Sequence, residues 1–183
     1  MLANSENSVL VLVDIQQKLA RAMPGGVRDR VIEQVKILLI TAEAMSIPVI
    51  VTEQYPDGLG ATEAALLDKL PAGSPVIEKT CFSCMQSEAF REQIAATHCK
   101  QVILVGMETH ICILQTAIAL VAENYSVHVV EDAVSSRSKS NQYNALQRMR
   151  HAGVVISNVE SVLFEWLGDA SHPQFKTLAK LIV

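Results

Sequence analysis

Short apolar runs rich in β-branched residues recur along this chain, each separated from the next by a segment of helical periodicity. That alternation constrains the fold more than any other feature. The runs "SVLVLVD" (8–14), "PVIVTE" (48–53), "PVIEK" (75–79), "QVILVG" (101–106), "SVHVVED" (126–132) and "GVVISN" (153–158) read as strands bounded by turn residues. Helical patterns cover 27–46, 61–70, 86–97, 112–124, 140–152, 160–167 and 173–182. Ser87 opens a capped amphipathic turn with Phe90 and Ile94, and Gly153 sits where a helix should stop. Regular alternation of this kind predicts an α/β fold of three layers, helices on both faces of a six-stranded, mainly parallel sheet. Half of the residues are hydrophobic but only 4% are aromatic. The core must then be aliphatic, which suits strands buried on both faces.

The 183 residues contain no repeat and no linker, so residues 1–183 are expected to form a single domain. A net charge of −4 and a pI near 5.7 offer no electrostatic footprint for nucleic acid. The N-terminal apolar run "VLVLVDI" is too short to span a bilayer and contains Asp14, and "MLANSEN" lacks a basic leader. Four cysteines without a secretory context suggest reduced thiols and a cytoplasmic location. The mean hydropathy of +0.27 is high, and "FKTLAKLIV" ends the chain on apolar residues, so a homo-oligomer is expected.

In open parallel sheets ligands bind beyond the C-terminal ends of the strands. The first strand should end in Asp14, the second in Glu53, the third in Lys79 and the fifth in Asp132, while the fourth runs into Cys112. One rim would therefore collect a carboxylate, an ammonium and a thiol. A thiol attacks a carbonyl only as thiolate. Thr109 as N-cap would put Cys112 in the first helical turn, where unpaired N–H groups favour the anion. His110 is two residues from Cys112 and would not face it on a helix. Asp14 is the better base, with Lys79 near both.

"VLVDIQ" with Asp14, "EKTCFS" with Lys79 and "VGMETHICILQTA" with Cys112 together resemble the isochorismatase-like cysteine hydrolases. The resemblance runs from about residue 8 to the C-terminus. It includes "TEQYPDGLG" and "VVEDAVSSRS", and it is strongest toward the isochorismatase domain-containing branch. It implies a Rossmann-like fold, a catalytic triad of Asp14, Lys79 and Cys112, and a cis peptide between Met107 and Glu108. It also implies an oxyanion hole built from the backbone amides of Glu108 and Cys112. The substrate expected is a small molecule with an amide-like C–N bond, attacked through a thioester. Alternatives are a metal-free vinyl-ether hydrolase using Asp14, and a silent scaffold that keeps the fold.

Nicotinamidases of this family bind metal through histidines after the second strand, but here that stretch is "TEQYPDGLG" and the first histidine is His98. No metal and no cofactor are expected. The C-x-x-C of "TCFSC" lacks the second ligand pair that zinc wants. "SSRSKS" (135–140) reads as a solvated loop. Gln54, Tyr55 and Phe82 are candidates to line a substrate pocket, although core packing accounts for the two aromatics equally well.

Overall fold

A computed structural model describes residues 1–182. Six strands form one sheet in the order β3-β2-β1-β4-β5-β6, every pair parallel. In chain order the elements are β1 (Ser8–Val13), α1 (Gln17–Arg21), α2 (Val27–Ala44), β2 (Val49–Gln54), α3 (Pro56–Leu59), α4 (Ala64–Leu67) and β3 (Val76–Lys79). There follow α5 (Glu88–Ala96), β4 (Gln101–Met107), α6 (Leu114–Ala122), β5 (Ser126–Ser135), α7 (Lys139–His151), β6 (Val155–Ser157), α8 (Val159–Leu167) and α9 (Phe175–Leu178). This is the three-layer α/β/α architecture expected, with a sheet that is wholly parallel. Among the described residues no helix is long and apolar enough to cross a membrane.

The strand pleat divides the core in two. Leu10 and Leu12 of β1, with Ile103 and Val105 of β4, pack beneath α2 and α8 on one face. Val9, Val11 and Val13, with Val102 and Leu104, pack beneath α5, α6 and α7 on the other. Period-two alternation with both sides buried explains why these runs are apolar throughout. Phe90 of α5 is fully buried, worth about 1.5–3 kcal/mol. Its helix starts at Ser87, whose Oγ accepts from the Phe90 N–H at 3.4 Å. Gly153, at φ 88°, follows the C-cap of α7.

Several expected elements differ. The helix foreseen over 61–70 contracts to α4, because residue 62 instead forms an antiparallel bridge with Gln16. The fifth strand does not end at Asp132. Its pairing with β4 jumps from Leu104↔Val129 to Gly106↔Val134, so a bulge carries the strand through the acidic pair to Ser135. Asp132 there accepts from the Val159 N–H at the start of α8. Glu53 is likewise diverted, its Oε1 accepting from both N–H and Oγ1 of Thr62.

The C-terminal segment divides into α9 and a 3₁₀ turn, Ala179–Leu181. Its apolar residues are only partly covered within the chain, Phe175, Leu181 and Ile182 being half-buried. Leu178 is buried, and Leu181 and Ile182 pack against the chain's own core. Val183 lies outside the described residues.

Candidate active site

β1 and β4 are neighbours, and the chain leaves them toward opposite edges of the sheet: from β1 to β2, from β4 to β5. A crevice at such a switch point is where open parallel sheets hold ligands. Asp14 directly follows β1 at φ 53°, a left-handed conformation that turns the chain sharply off the strand end. Its carboxylate is fully buried. Oδ1 accepts from Thr52 Oγ1 at 2.7 Å, and Oδ2 accepts from Lys79 Nζ at 2.7 Å. Lys79 ends β3, two strands away, and its side chain reaches across β2 with no exposed surface. Its Nζ also donates to Gln54 Oε1 at 2.8 Å and lies 3.9 Å from Cys112 Sγ.

Burial alone would lower the Lys79 pKa. The Asp14 carboxylate and the two nearby thiols outweigh it, and the net shift is upward. Lys79 is therefore a firm cation. Cys112 behaves oppositely to expectation. Burial pushes its thiol pKa up, and the charge and hydrogen bond of Asp14 push the same way; Lys79 offsets them only in part. The resting group is a protonated thiol beside a carboxylate, so desolvation outweighs any help from a helix start.

That helix start also differs in form. Thr109–Ile113 is a π-helical turn, with Ile113 N donating to Glu108 O at 3.3 Å and Leu114 N donating to Thr109 O. Thr109 is not an N-cap, since its Oγ1 is buried without a partner. Single π turns of this kind favour functional sites. The peptide bond between Met107 and Glu108 is cis. Gly106, at φ 129°, admits the turn: a Cβ there would be driven into the Val13 carbonyl. His110 meets Ser136 Oγ at 2.9 Å and, on α7, Asn141 Nδ2 at 3.4 Å, and makes no hydrogen bond to Cys112.

Of the candidate pocket residues, Gln54 touches Lys79 and donates its Nε2–H to Thr80 O at 2.7 Å. Tyr55 and Phe82 do not pack in the core; both residues are more than half exposed. Tyr55 borders an open depression of about 540 Å³ with Asp57, Lys79, Cys81 and Gln86, whereas Phe82 contributes its carbonyl near Lys79. A second depression of similar size, about 530 Å³, lies around Ser46, Pro48 and Pro75 at the opposite ends of the strands, far from the reactive groups.

Three contributors escaped the sequence reading. Thr52 was hidden within an apolar run, and only the Val13↔Thr52 register brings it under Asp14. Gln16 is buried, its Oε1 accepting from Gln54 N at 2.8 Å and its Nε2 donating to Gly60 O at 2.6 Å, which ties the end of β2 to the chain beyond α3. Cys84, the second cysteine of the C-x-x-C, is buried with its Sγ 3.8 Å from Thr52 Oγ1, and burial pushes its pKa up to about 11. Among the described residues no group of three or more His, Cys, Asp or Glu side chains could hold a metal ion.

Residues 8–161 match the isochorismatase domain family. Isochorismatase domain-containing protein 2 of Bos taurus is 39% identical over 176 residues, covering 96% of this chain and 83% of its own. A solved structure of MAR1 ribonuclease from Caenorhabditis elegans superposes with a TM-score of 0.93 at 38% identity, covering all of this chain and 92% of that one. The YcaC gene product of Escherichia coli, described as an octameric hydrolase of unknown specificity, superposes with a TM-score of 0.92 over all of this chain and 89% of its own. At 24% identity that likeness is one of fold.

Proposed function

The chain belongs to the isochorismatase domain family, and we propose that it is a cysteine hydrolase cleaving a small amide-like C–N bond through Asp14, Lys79 and Cys112. One observation carries the proposal: a buried lysine ammonium 2.7 Å from a carboxylate and 3.9 Å from a thiol at the switch point of the sheet. Asp14 takes the thiol proton as Cys112 Sγ attacks the carbonyl carbon. The backbone amides of Glu108 and Cys112 hold the oxyanion. Asp14 then gives its proton to the leaving nitrogen, the C–N bond breaks, and a thioester and an amine result. Water, deprotonated by Asp14, attacks the thioester and frees the acid and the thiol. Lys79 orients Asp14 and offsets the negative charge that grows on sulfur.

In this proposal residues 1–183 act as one domain without metal, and Gln54, Tyr55 and Phe82 lie along the approach to the thiol. Copies of the chain associate, since Tyr55, Phe82, Tyr143 and Phe164 leave apolar surface open.

The C. elegans relative is named a ribonuclease, which raises RNA as a rival substrate. A net charge of −4 and an almost fully buried thiol and carboxylate suit a small neutral substrate better than a polyanion. The test is a panel of small primary amides with an RNA oligonucleotide included, followed by intact-mass analysis. Turnover of an amide with an acyl adduct on Cys112, lost in Cys112→Ser, is the expected result. RNA cleavage retained by Cys112→Ser would overturn it.

A further inference from the structure

The serine-rich stretch 135–140, which runs from the end of β5 into α7, is solvent-facing only from Arg137 onward. Ser135 and Ser136 are buried, and the stretch is fastened to the turn before Cys112 at three levels. The shifted register pairs Met107 with Ser135. Glu108 Oε1 accepts from the Arg137 backbone N–H at 2.9 Å and from Arg137 Nε at 3.0 Å. His110 Nδ1 meets Ser136 Oγ at 2.9 Å. The Glu108 side chain is 4% exposed, whereas that of Arg137 is 61% exposed. An exposed guanidinium thus holds a buried carboxylate from outside. Glu108 O in turn accepts from the N–H groups of Ile111 and Ile113, so the residue is gripped at its side chain and its carbonyl. What stays fixed between those grips is its amide.

We propose that Arg137 is a positioning residue, one that acts through Glu108 to keep the Glu108 N–H aimed at the developing oxyanion. This rests on the reading of Glu108 as an oxyanion donor. Such a role strengthens only the tetrahedral state, so alkylation of sulfur, which develops no oxyanion, should not sense it. Arg137 is open to solvent, and its backbone bond to Glu108 survives substitution, so variants there keep the fold.

Two probes of Cys112 separate the possibilities. Iodoacetamide reports the thiol and its base, while butyraldehyde adds reversibly to give a thiohemiacetal whose oxygen occupies the oxyanion position. Protection of Cys112 by butyraldehyde against iodoacetamide, followed by peptide mapping, gives the aldehyde affinity. In Arg137→Ala that affinity should weaken about tenfold, less than loss of a whole oxyanion donor. The unprotected alkylation rate should stay within about twofold of wild type. Arg137→Lys should recover part of the loss. Glu108→Gln should weaken aldehyde binding similarly, and the double variant should be no worse than Arg137→Ala, because both remove one interaction. Equal losses in both probes, or unchanged aldehyde affinity, would overturn the proposal. If wild-type Cys112 gains no protection from the aldehyde, the oxyanion assignment itself fails, and the role of Arg137 falls with it.

Discussion

Lys79 Nζ stands 2.7 Å from Asp14 Oδ2 and 3.9 Å from Cys112 Sγ, so the ammonium is bonded to the carboxylate and only adjacent to the sulfur. The ion pair therefore exists at rest, and in the proposed mechanism the sulfur acquires charge only as Asp14 removes its proton. Lysine steadies the base first and the nucleophile second.

Opposite effects on the thiol follow from that asymmetry. Asp14 raises the Cys112 pKa and Lys79 lowers it. At pH 8 Asp14→Asn should speed iodoacetamide labelling of Cys112 while abolishing turnover, since the proton shuttle is gone. Lys79→Met should slow labelling. Peptide mapping must separate Cys112 from Cys81, Cys84 and Cys99. Movement of both variants in one direction would refute the assignment.

Breaking the buried pair should also be costly to the fold. Lys79→Met strands a fully buried carboxylate and should lower stability by about 3–5 kcal/mol, measured by urea denaturation. Replacing both partners, as Asp14→Asn with Lys79→Met, should recover much of that loss. A double variant as unstable as the sum of the singles would contradict the pairing.

A second buried group sets an acid limit. His128 has no exposed surface, and neither ring nitrogen has a partner. Burial lowers its pKa; Glu165 opposes that, and the N-terminal ammonium adds to it. The unfolded chain, with an ordinary histidine pKa near 6.5, thus takes up a proton that the folded state refuses. Stability should fall as pH drops below about 6.5, by at most about 1.4 kcal/mol per pH unit. His128→Leu should flatten this slope in denaturation curves between pH 7 and 5. An unchanged slope would clear His128 of the role.

Gly106→Ala should be disruptive out of proportion to one methyl group. Its new Cβ meets the Val13 carbonyl of the adjacent central strand at a φ that side chains rarely adopt. The soluble yield should collapse, or the Tm should drop by well over the few degrees that an ordinary surface change produces. A variant of native Tm would show that the strands separate freely there.

Activity on whichever amide is turned over should survive exhaustive EDTA dialysis. The stretch after β2 has no histidine, and no suitable donor cluster is found among the described residues. Activity lost on chelation and restored by zinc or iron would require another mechanism. Light scattering at micromolar concentration should give a mass above the 19.9 kDa of one chain. A monodisperse monomer would remove the proposed association.

The sequence made the sheet legible because its strands are buried on both faces, and unbroken Val, Ile and Leu runs leave little ambiguity. It also singled out Asp14 and Lys79 at the ends of such runs and Cys112 beyond the fourth, three side chains that the fold brings together. What it concealed depends on register. Thr52 became a partner of Asp14, 38 positions away, only through the pairing of β1 with β2. Arg137 reached Glu108 only because a bulge extends β5 past an acidic pair that looked like its end. The charge state of Cys112 was misjudged for a related reason. Local position favoured the anion, and the depth of the site, a property of the whole fold, reversed it.

The strand order across the sheet imposes an order in time. β1 lies at the centre, between β2 and β4. A chain leaving the ribosome N-terminus first can offer β2 to β1 early, but residues 101–107 emerge only after more than half of these 183 residues have been made. Until then one full edge of an apolar strand stands open to any other extended segment nearby. Throughout that interval Asp14 stands without the thiol that the proposed mechanism has it deprotonate, so a chain that stops short of residue 112 carries the carboxylate but never the pair.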